Sequence, residues 1–186
     1  KAKRLYGERE VLLDPNTLSS DGTAALSGIS FSEDGRFMAY AVSKAGSDWV
    51  MWRVRDVETG RDLPDLIEWT KFSGATWSKD GKGFYYTRFP KPKPGDELTA
   101  ANENAQVYYH KLGAGQSEDS LVYARPDHPT WGFGMGRTGD GRYLILYQFD
   151  GTEPKNRIWI KDLNKPDGAF EPLFDGRNLD AFKASD

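Results

Sequence analysis

A short motif occurs three times along the chain and constrains its fold more than any other feature. Each copy has Ser or Thr, any residue, Asp and Gly, followed by an aromatic-rich segment, and the copies are centred on Asp34, Asp80 and Asp140. Asp-Gly between two strand-like segments predicts a tight β-hairpin, because Gly adopts positive φ without strain and Asp tolerates it better than most residues. The motif therefore predicts three equivalent hairpins.

The spacing of these hairpins indicates a repeated unit. Asp34 and Asp80 lie 46 residues apart, and Asp80 and Asp140 lie 60 apart. The second interval contains a Pro-, Lys- and Asn-rich insertion at 90–104, and without those 15 positions it shortens to 45. Two further strand-like segments follow each hairpin, so each unit predicts four strands, which is typical of a β-propeller blade. A β-sandwich of unrelated hairpins is the alternative architecture.

The strand after the first hairpin carries apolar side chains on both of its faces. The two alternating sets are Phe37, Ala39 and Ala41, and Met38, Tyr40 and Val42. A strand that is apolar on both faces is expected to be buried on both sides, as in a stack of sheets.

We therefore expect an all-β fold, a partial β-propeller with about three complete four-stranded blades plus flanking strands. The expected division is an outer strand (Arg9 to Leu13) and crossover of a preceding blade at 1–25, blades at 26–66, 67–125 and 126–174, and the lead-in to a next blade at 175–186. Propellers close with about four to eight blades, so three blades are expected to form an arc. An arc with apolar ends is expected to be marginally stable or to self-associate.

Composition removes several classes of function. The net charge is −3, so no basic surface is expected for nucleic acid. No apolar run is long enough to span a bilayer, and membrane binding is not expected. The chain has no Cys and only two His residues, His110 and His128, so we expect no metal site and no cofactor. Both His residues are expected to be structural or solvent-exposed.

The sequence also lacks the usual signatures of catalysis. It has no Gly-x-Ser-x-Gly string for a serine nucleophile and no phosphate-binding loop. We therefore expect no catalytic residue in this chain. Glycine alternates at Gly132, Gly134 and Gly136, which predicts a strand next to a crowded propeller axis, where small residues let the backbone pack closely.

Several strings resemble, in the same order, the N-terminal β-propeller of prolyl oligopeptidases. They begin at Glu10-Val-Leu-Leu-Asp-Pro-Asn-Thr-Leu18 and continue through Phe31-Ser-Glu-Asp-Gly35, Leu63-Pro-Asp65, Trp77-Ser-Lys-Asp-Gly-Lys-Gly83, Tyr108-Tyr-His110, Gln116-Ser-Glu-Asp119 and Asp140-Gly-Arg-Tyr143. The resemblance implies a seven-bladed parent propeller that caps an α/β-hydrolase domain with a Ser-Asp-His triad. Such enzymes cleave short peptides after proline and exclude folded proteins. The hydrolase domain is absent from this sequence.

The resemblance also suggests substrate-binding positions. The family has a Phe in a Lys-Phe-Ser string that reaches into the substrate cavity, and Phe72 occupies that position here. The alternative is that Phe72 belongs to the blade core. Gly132 stands where a Met is expected, Phe149 where an Arg is expected and Thr152 where a reactive Cys is expected. These changes imply a more apolar outer pocket of different shape.

The insertion matches a mobile loop of the family at the interface between the domains, which implies a gating loop. Its candidate residues are Pro90, Lys91, Pro92, Asn102 and Asn104. A tolerated surface insertion is the alternative.

The expected partners are proline-containing peptides, the missing hydrolase domain and the remaining blades. A stand-alone interaction module, or two arcs that assemble into a ring, are the alternative functions. The family implies a cytoplasmic protein, and a periplasmic one stays open because the sequence starts at Lys1 and not at Met.

Overall fold

The computed structural model describes residues 10–165 and 167–174, with only the backbone at Phe174. Within these residues the chain forms twelve β-strands and two short 3-10 helices, at Pro15–Thr17 and Gln116–Glu118. The strands are β1 (Ala24–Phe31), β2 (Phe37–Lys44), β3 (Val50–Asp56), β4 (Asp62–Thr70), β5 (Thr76–Trp77), β6 (Gly83–Arg88), β7 (Gln106–Lys111), β8 (Ser120–Ala124), β9 (Trp131–Arg137), β10 (Tyr143–Asp150), β11 (Arg157–Asp162) and β12 (Glu171–Phe174). No helix in this part of the chain is long and apolar enough to cross a membrane.

The strands form three antiparallel sheets of four, in the orders β1-β2-β3-β4, β5-β6-β7-β8 and β9-β10-β11-β12. Each sheet is a meander, and we call the sheets the first, second and third blade. This arrangement confirms the all-β partial propeller and is not a sandwich. The first blade is longer than the expected 26–66, because β1 begins at Ala24 and β4 continues to Thr70. Two irregularities in the pairing of β3 with β4 account for the extra length of β4.

The segment before β1 differs from expectation. Residues 10–13 form no strand, although an outer strand was expected at 9–13. Instead, Leu12 packs against the apolar cluster on one face of β2. Residues 1–9 and the expected lead-in at 175–186 lie outside the described residues.

The three Asp-Gly motifs form the same turn. In the first turn, Oδ1 of Asp34 accepts hydrogen bonds from Oγ of Ser32 at 2.6 Å and from the amide of Arg36 at 3.0 Å. Asp80 and Asp140 accept the equivalent pair of bonds in the other two blades. The Gly that follows each Asp has positive φ. The Asp residues are therefore turn formers, as the motif predicts.

The cores lie between the blades. Both faces of β2 are buried, as expected, because each face contributes to a different apolar cluster. The cluster between the first and second blades contains Ala39, Ala41, Trp52, Val54, Ile67, Ala75, Trp77, Phe84 and Tyr86. The cluster between the second and third blades contains Phe89, Ala105, Val107, Trp131, Phe133 and Leu146. Aromatic rings therefore fill much of the space between neighbouring sheets.

The meander order places the Asp-Gly turns at one end of each blade, which we call the hairpin face, and the connections between blades at the other end, the crossover face. On the hairpin face, Glu33 pairs with Lys79 of the second blade and, at 2.7 Å, with Arg137 of the third. Lys79 also donates to the carbonyl oxygen of Gly139 at 2.8 Å. These contacts fix all three blades to one another at the hairpin face.

Candidate functional site

The connection from β4 to β5 presents Phe72 on the crossover face. The side chain of Phe72 is 62% exposed, so it does not belong to the blade core. Its φ is +52°, which is unfavourable for a residue with a bulky side chain. The described residues other than glycine with positive φ are Ala45, Trp69, Phe72 and Asn104. All four lie in or beside loops of the crossover face, and such strain is concentrated at functional sites in proteins.

The insertion is fastened to the first blade's crossover face at two points, one in this connection and one in the loop before β3. Nζ of Lys71 donates to Oδ1 of Asn102 at 2.9 Å. Nε1 of Trp49 donates to the carbonyl oxygen of Glu97 at 2.6 Å. The two points are adjacent, because the Lys71 ammonium lies 4.0 Å from the ring centroid of Trp49. Sequence reasoning found Asn102 but missed Lys71 and Trp49, since residues about 30 to 50 positions apart in the chain meet only in the fold.

Two tryptophans form an aromatic wall beside the insertion. The rings of Trp49 and Trp69 lie edge to face with centroids 5.6 Å apart. They line a cavity of about 220 Å³, to which Glu97 of the insertion also contributes. Pro90 and Lys91 line a second cavity of about 280 Å³ on the other side of Trp69. The insertion therefore adjoins apolar, concave surface on both sides of Trp69.

The remaining gating residues differ in how they are held. Pro90, Lys91, Asn102 and Asn104 are exposed, and Pro92 is half-buried. Nζ of Lys91 lies 5.4 Å from the ring centroid of Trp69. The amide of Asn104 donates to the carbonyl oxygen of Pro129 at 2.7 Å, which ties the end of the insertion to the connection before β9.

Gly132 and Phe149 are opposite each other in the pairing of β9 with β10. A Cβ atom at Gly132 would overlap ring carbons of Phe149, so the ring lies directly over the glycine. At Gly136 a Cβ atom would lie 3.2 Å from the Tyr147 ring. Gly132 and Gly136 thus accommodate aromatic rings of the neighbouring strand. The expectation that β9 lies next to a crowded propeller axis stays a prediction.

The structure brings together only some of the predicted site residues. Phe72 adjoins the insertion through Lys71, and Gly132 adjoins Phe149. Within residues 10–165 and 167–174, no hydrogen bond or ring pair joins these two groups. Thr152 is exposed in the loop between β10 and β11.

A second polar cluster, which sequence reasoning missed, joins the first and second blades. Both ring nitrogens of His110 contact carboxylates: Nε2 lies 2.9 Å from Oδ1 of Asp65, and Nδ1 lies 2.7 Å from Oδ1 of Asp119. All three side chains are fully buried. Tyr86 donates to Asp119 at 2.6 Å, and the amide of Gly113 donates to Asp65 at 2.7 Å.

This environment determines the charge of His110. Burial alone would lower the pKa of the imidazole, but the hydrogen bonds to Asp119 and Asp65 outweigh burial and raise the pKa to about 9. Burial also opposes ionisation of Asp65, yet its bonds to His110 and Gly113 lower the pKa of that carboxyl. His110 is therefore a charged structural residue at neutral pH, and neither of its nitrogens is free to act as a general base. His128, which is about half exposed, stacks on the Trp131 ring with centroids 3.9 Å apart.

The chain is similar to a known family over nearly its whole length. The model of the prolyl oligopeptidase N-terminal β-propeller domain matches residues 1–185. The dual function macrocyclase-peptidase POPB of Galerina marginata is 42% identical over 167 residues, which cover 84% of this chain and 23% of that protein. The prolyl endopeptidase of Elizabethkingia meningoseptica is 40% identical over 175 residues, which cover 94% of this chain and 24% of that protein.

Solved structures agree with these matches. Prolyl oligopeptidase B from Galerina marginata, in a mutant form bound to a 35mer hydrolysis and macrocyclization substrate, superposes with a TM-score of 0.79 at 37% identity. The superposition covers 87% of this chain and 24% of that one. The chain thus spans about a quarter of the length of the relatives it matches.

Proposed function

Because the chain belongs to the prolyl oligopeptidase family, as part of its N-terminal β-propeller domain, we propose that it helps to gate substrate access to a serine endopeptidase site. The proposed substrates are short peptides cleaved after proline. The serine nucleophile, its base and the oxyanion hole are supplied by a hydrolase domain outside this chain, because this chain carries none of the motifs that such groups require. Alone, the chain is inactive as a peptidase.

The exposure of Phe72 carries this proposal. A phenyl ring that is 62% exposed on a strained turn leaves most of its apolar area in water and gains little stability from packing there. It can instead bury apolar area against a bound peptide, and each Å² of apolar surface removed from water contributes about 25 cal/mol. The preceding residue, Lys71, contacts the insertion at Asn102. The insertion residues Pro90, Lys91, Pro92, Asn102 and Asn104 form the proposed gate. Gly132 and Phe149 form a proposed substrate contact in the outer part of the pocket, where the Phe149 ring occupies the space above the glycine.

The test uses the full-length product of the gene that contains this chain. Phe72→Ala is compared with Leu121→Ala, since Leu121 is also exposed and apolar but lies on β8, the strand farthest from β5 in the second blade. The assay measures hydrolysis of a fluorogenic peptide that ends in Gly-Pro. We expect Phe72→Ala to raise KM about ten-fold with little change in kcat, since the lost contact holds substrate before and during reaction. Equal KM values for the two variants would count against the substrate contact.

Inactivity of the isolated chain is tested separately. The purified 186-residue chain is incubated with the same fluorogenic peptide. We expect no hydrolysis above background, and a rate that follows the amount of chain through purification would contradict the proposed division of labour.

A second candidate function is an interaction or self-assembly module. It is favoured by exposed apolar side chains on strands: Ile29 and Phe31 on β1 are each 51% exposed, and Tyr147 on β10 is 45% exposed. Such surface is a site for association. Two such arcs pairing into one ring would bury these side chains. Light scattering at micromolar concentration tests the proposal, and a monomer mass throughout would reject it.

Family membership also supports a cytoplasmic location for the parent protein. Cell fractionation with a cytoplasmic and a periplasmic marker distinguishes this from the periplasmic alternative.

A further inference from the structure

The ammonium group of Lys71 is buried without a carboxylate partner among the described residues. Lys71 is only 6% exposed, and its polar partner is the neutral side chain of Asn102. The face of the Trp49 ring, 4.0 Å away, provides the other favourable contact. A buried lysine is normally paired with an acid, because removal of a charge from water is costly. This arrangement is therefore unusual for a purely structural lysine.

The position of Lys71 connects two parts of the crossover face. Its backbone immediately precedes Phe72 in the turn between β4 and β5. Its side chain holds the insertion at Asn102, close to the second contact between Trp49 and Glu97. An insertion that moves away from the first blade must break both hydrogen bonds, because each joins a residue of that blade's crossover face, Lys71 or Trp49, to the insertion.

We propose that Lys71 is a positioning residue that couples the insertion to the Phe72 turn. We call its hydrogen bond to Asn102 the latch. The neutral partner keeps the latch weak enough to break when the insertion moves. This inference rests on the proposed gating function and adds the residue that links gate and substrate contact. When the insertion leaves, the ammonium loses its oxygen partner in an apolar site. We expect the Lys71 side chain to turn toward water, and the turn that carries Phe72 to shift with it.

The choice of Asn over Asp at position 102 follows from this role. The ammonium of Lys71 already makes its hydrogen bond to Asn102 a charge-assisted one, and a carboxylate acceptor would add the attraction of a full opposite charge. With Asp at position 102 the contact would become an ion pair, which would hold the insertion closed more tightly. With Asn102 the contact is directional, but it lacks the added attraction of an opposite charge.

Backbone amides on both sides of the latch can report the coupling. In the insertion, the amides of Thr99 and Ala100 donate to the carbonyl oxygen of Asp96 at 3.1 Å and 2.8 Å. In the turn, Oγ of Ser73 accepts a hydrogen bond from the amide of Thr87 at 2.8 Å. Exchange of Thr99 and Ala100 therefore reports on the insertion, and exchange of Thr87 reports on the Phe72 turn.

The experiment measures amide hydrogen exchange by NMR on the purified chain, without any peptide. The variants are Lys71→Met, Asn102→Ala and Asn102→Asp, with Lys93→Met as the control, since Lys93 is an exposed lysine of the same insertion. We expect Asn102→Ala to accelerate exchange about ten-fold at Thr99, Ala100 and also Thr87. We expect Lys71→Met to accelerate exchange at the same three amides. Asn102→Asp slows exchange at all three amides, and Lys93→Met leaves them unchanged.

Two results would overturn the proposal. Faster exchange in the insertion of Asn102→Ala with an unchanged Thr87 amide would show that the turn is not coupled to it. Equal or faster exchange in Asn102→Asp would refute the weak-latch argument, because a simple packing role gains nothing from a carboxylate. Asn102 is exposed, so its variants remain informative even when Lys71→Met does not fold. The readout needs no substrate, so failure here is distinct from failure of the KM test at Phe72.

Discussion

Nε2 of His110 in the second blade lies 2.9 Å from Oδ1 of Asp65 in the first blade, and neither side chain has any exposure to solvent. With Asp119 on the other ring nitrogen at 2.7 Å, the imidazolium is held between two carboxylates. The apolar clusters between blades resist separation but tolerate sliding, because dispersion and hydrophobic contacts are not directional. The charged hydrogen bonds add a fixed register between the two sheets.

Removal of His110 should therefore destabilise the chain strongly. His110→Gln leaves the carboxylates of Asp65 and Asp119 buried without a counter-charge, and we expect a loss of roughly 3–5 kcal/mol in the free energy of unfolding. Urea denaturation measures the loss. His128→Gln is the comparison, because His128 is partly exposed and loses only its stacking on Trp131, for which we expect about 1 kcal/mol. Equal losses in the two variants would contradict the structural role of His110.

Stability should also depend on pH through His110. The folded pKa of about 9 is above the unfolded value of about 6.5. The stabilisation by the imidazolium is therefore complete below pH 6.5 and is lost as the pH rises through about 9. Urea midpoints measured from pH 6 to pH 10 should fall more steeply for the wild-type chain than for His110→Gln. If the urea midpoints of the two chains depended on pH in the same way, folding would not raise the pKa of His110.

The strain at Phe72 predicts an unusual order of stability for two variants. Phe72→Gly should be more stable than Phe72→Ala by roughly 1 kcal/mol, because φ is +52° and only Gly adopts this region freely. At Leu98, an exposed insertion residue whose φ is not positive, the Gly variant should be no more stable than the Ala variant. Thermal melts compare the four variants. If the Gly and Ala variants ranked in the same order of stability at Phe72 and at Leu98, the Phe72 turn would store no strain.

The contact between Gly132 and Phe149 predicts a rescue. Gly132→Ala forces the Phe149 ring from its place and should cost roughly 1–3 kcal/mol. Combination with Phe149→Ala should recover most of the loss attributable to the clash, which a double-mutant cycle measures. Gly139→Ala is the control, since nothing lies within 4 Å of a Cβ atom there and its φ is not positive. Strict additivity of the two changes would argue against the predicted overlap.

The ion pairs of the hairpin face should contribute unequally. Arg137 also donates to the carbonyl oxygen of Trp77 at 3.0 Å and is largely buried, whereas the Lys79 side chain is about half exposed. Arg137→Lys should therefore cost about 1–2 kcal/mol, because Lys cannot reproduce the two directions of the guanidinium. Lys79→Met should have a smaller effect that disappears in high salt. Urea denaturation at low and high salt checks both expectations, and the reverse order would exclude Arg137 as the link between the blades.

Much of the fold was predictable from local patterns. The Asp-Gly turns at Asp34, Asp80 and Asp140 depend on hydrogen bonds within five residues of each Asp, so the motif alone identifies them. The double burial of β2 follows from its alternating apolar residues. The length of the first blade was less predictable, because the bulges that extend β4 to Thr70 leave no sequence signal.

The candidate site was predictable only in part. Phe72 and Asn102 entered through resemblance to the family, and their exposure could not be read from their own residue types. The strings Leu63-Pro-Asp65 and Gln116-Ser-Glu-Asp119 contributed to that resemblance without any sign that both acids contact His110. The partners of Lys71 were invisible for the same reason, since 31 positions separate it from Asn102.

The sequence by itself determined the hairpins, the four-stranded repeat and hence the propeller architecture, because turn conformation and strand amphipathicity depend on residues that are near one another in the chain. The tertiary structure alone decided which side chains meet across the blades: His110 with its two acids, Lys71 with the insertion, and the Phe149 ring with Gly132. These contacts depend on the register of one sheet against the next and on the path of a long loop. Both are fixed by the packing of the whole assembly, and no local pattern encodes them.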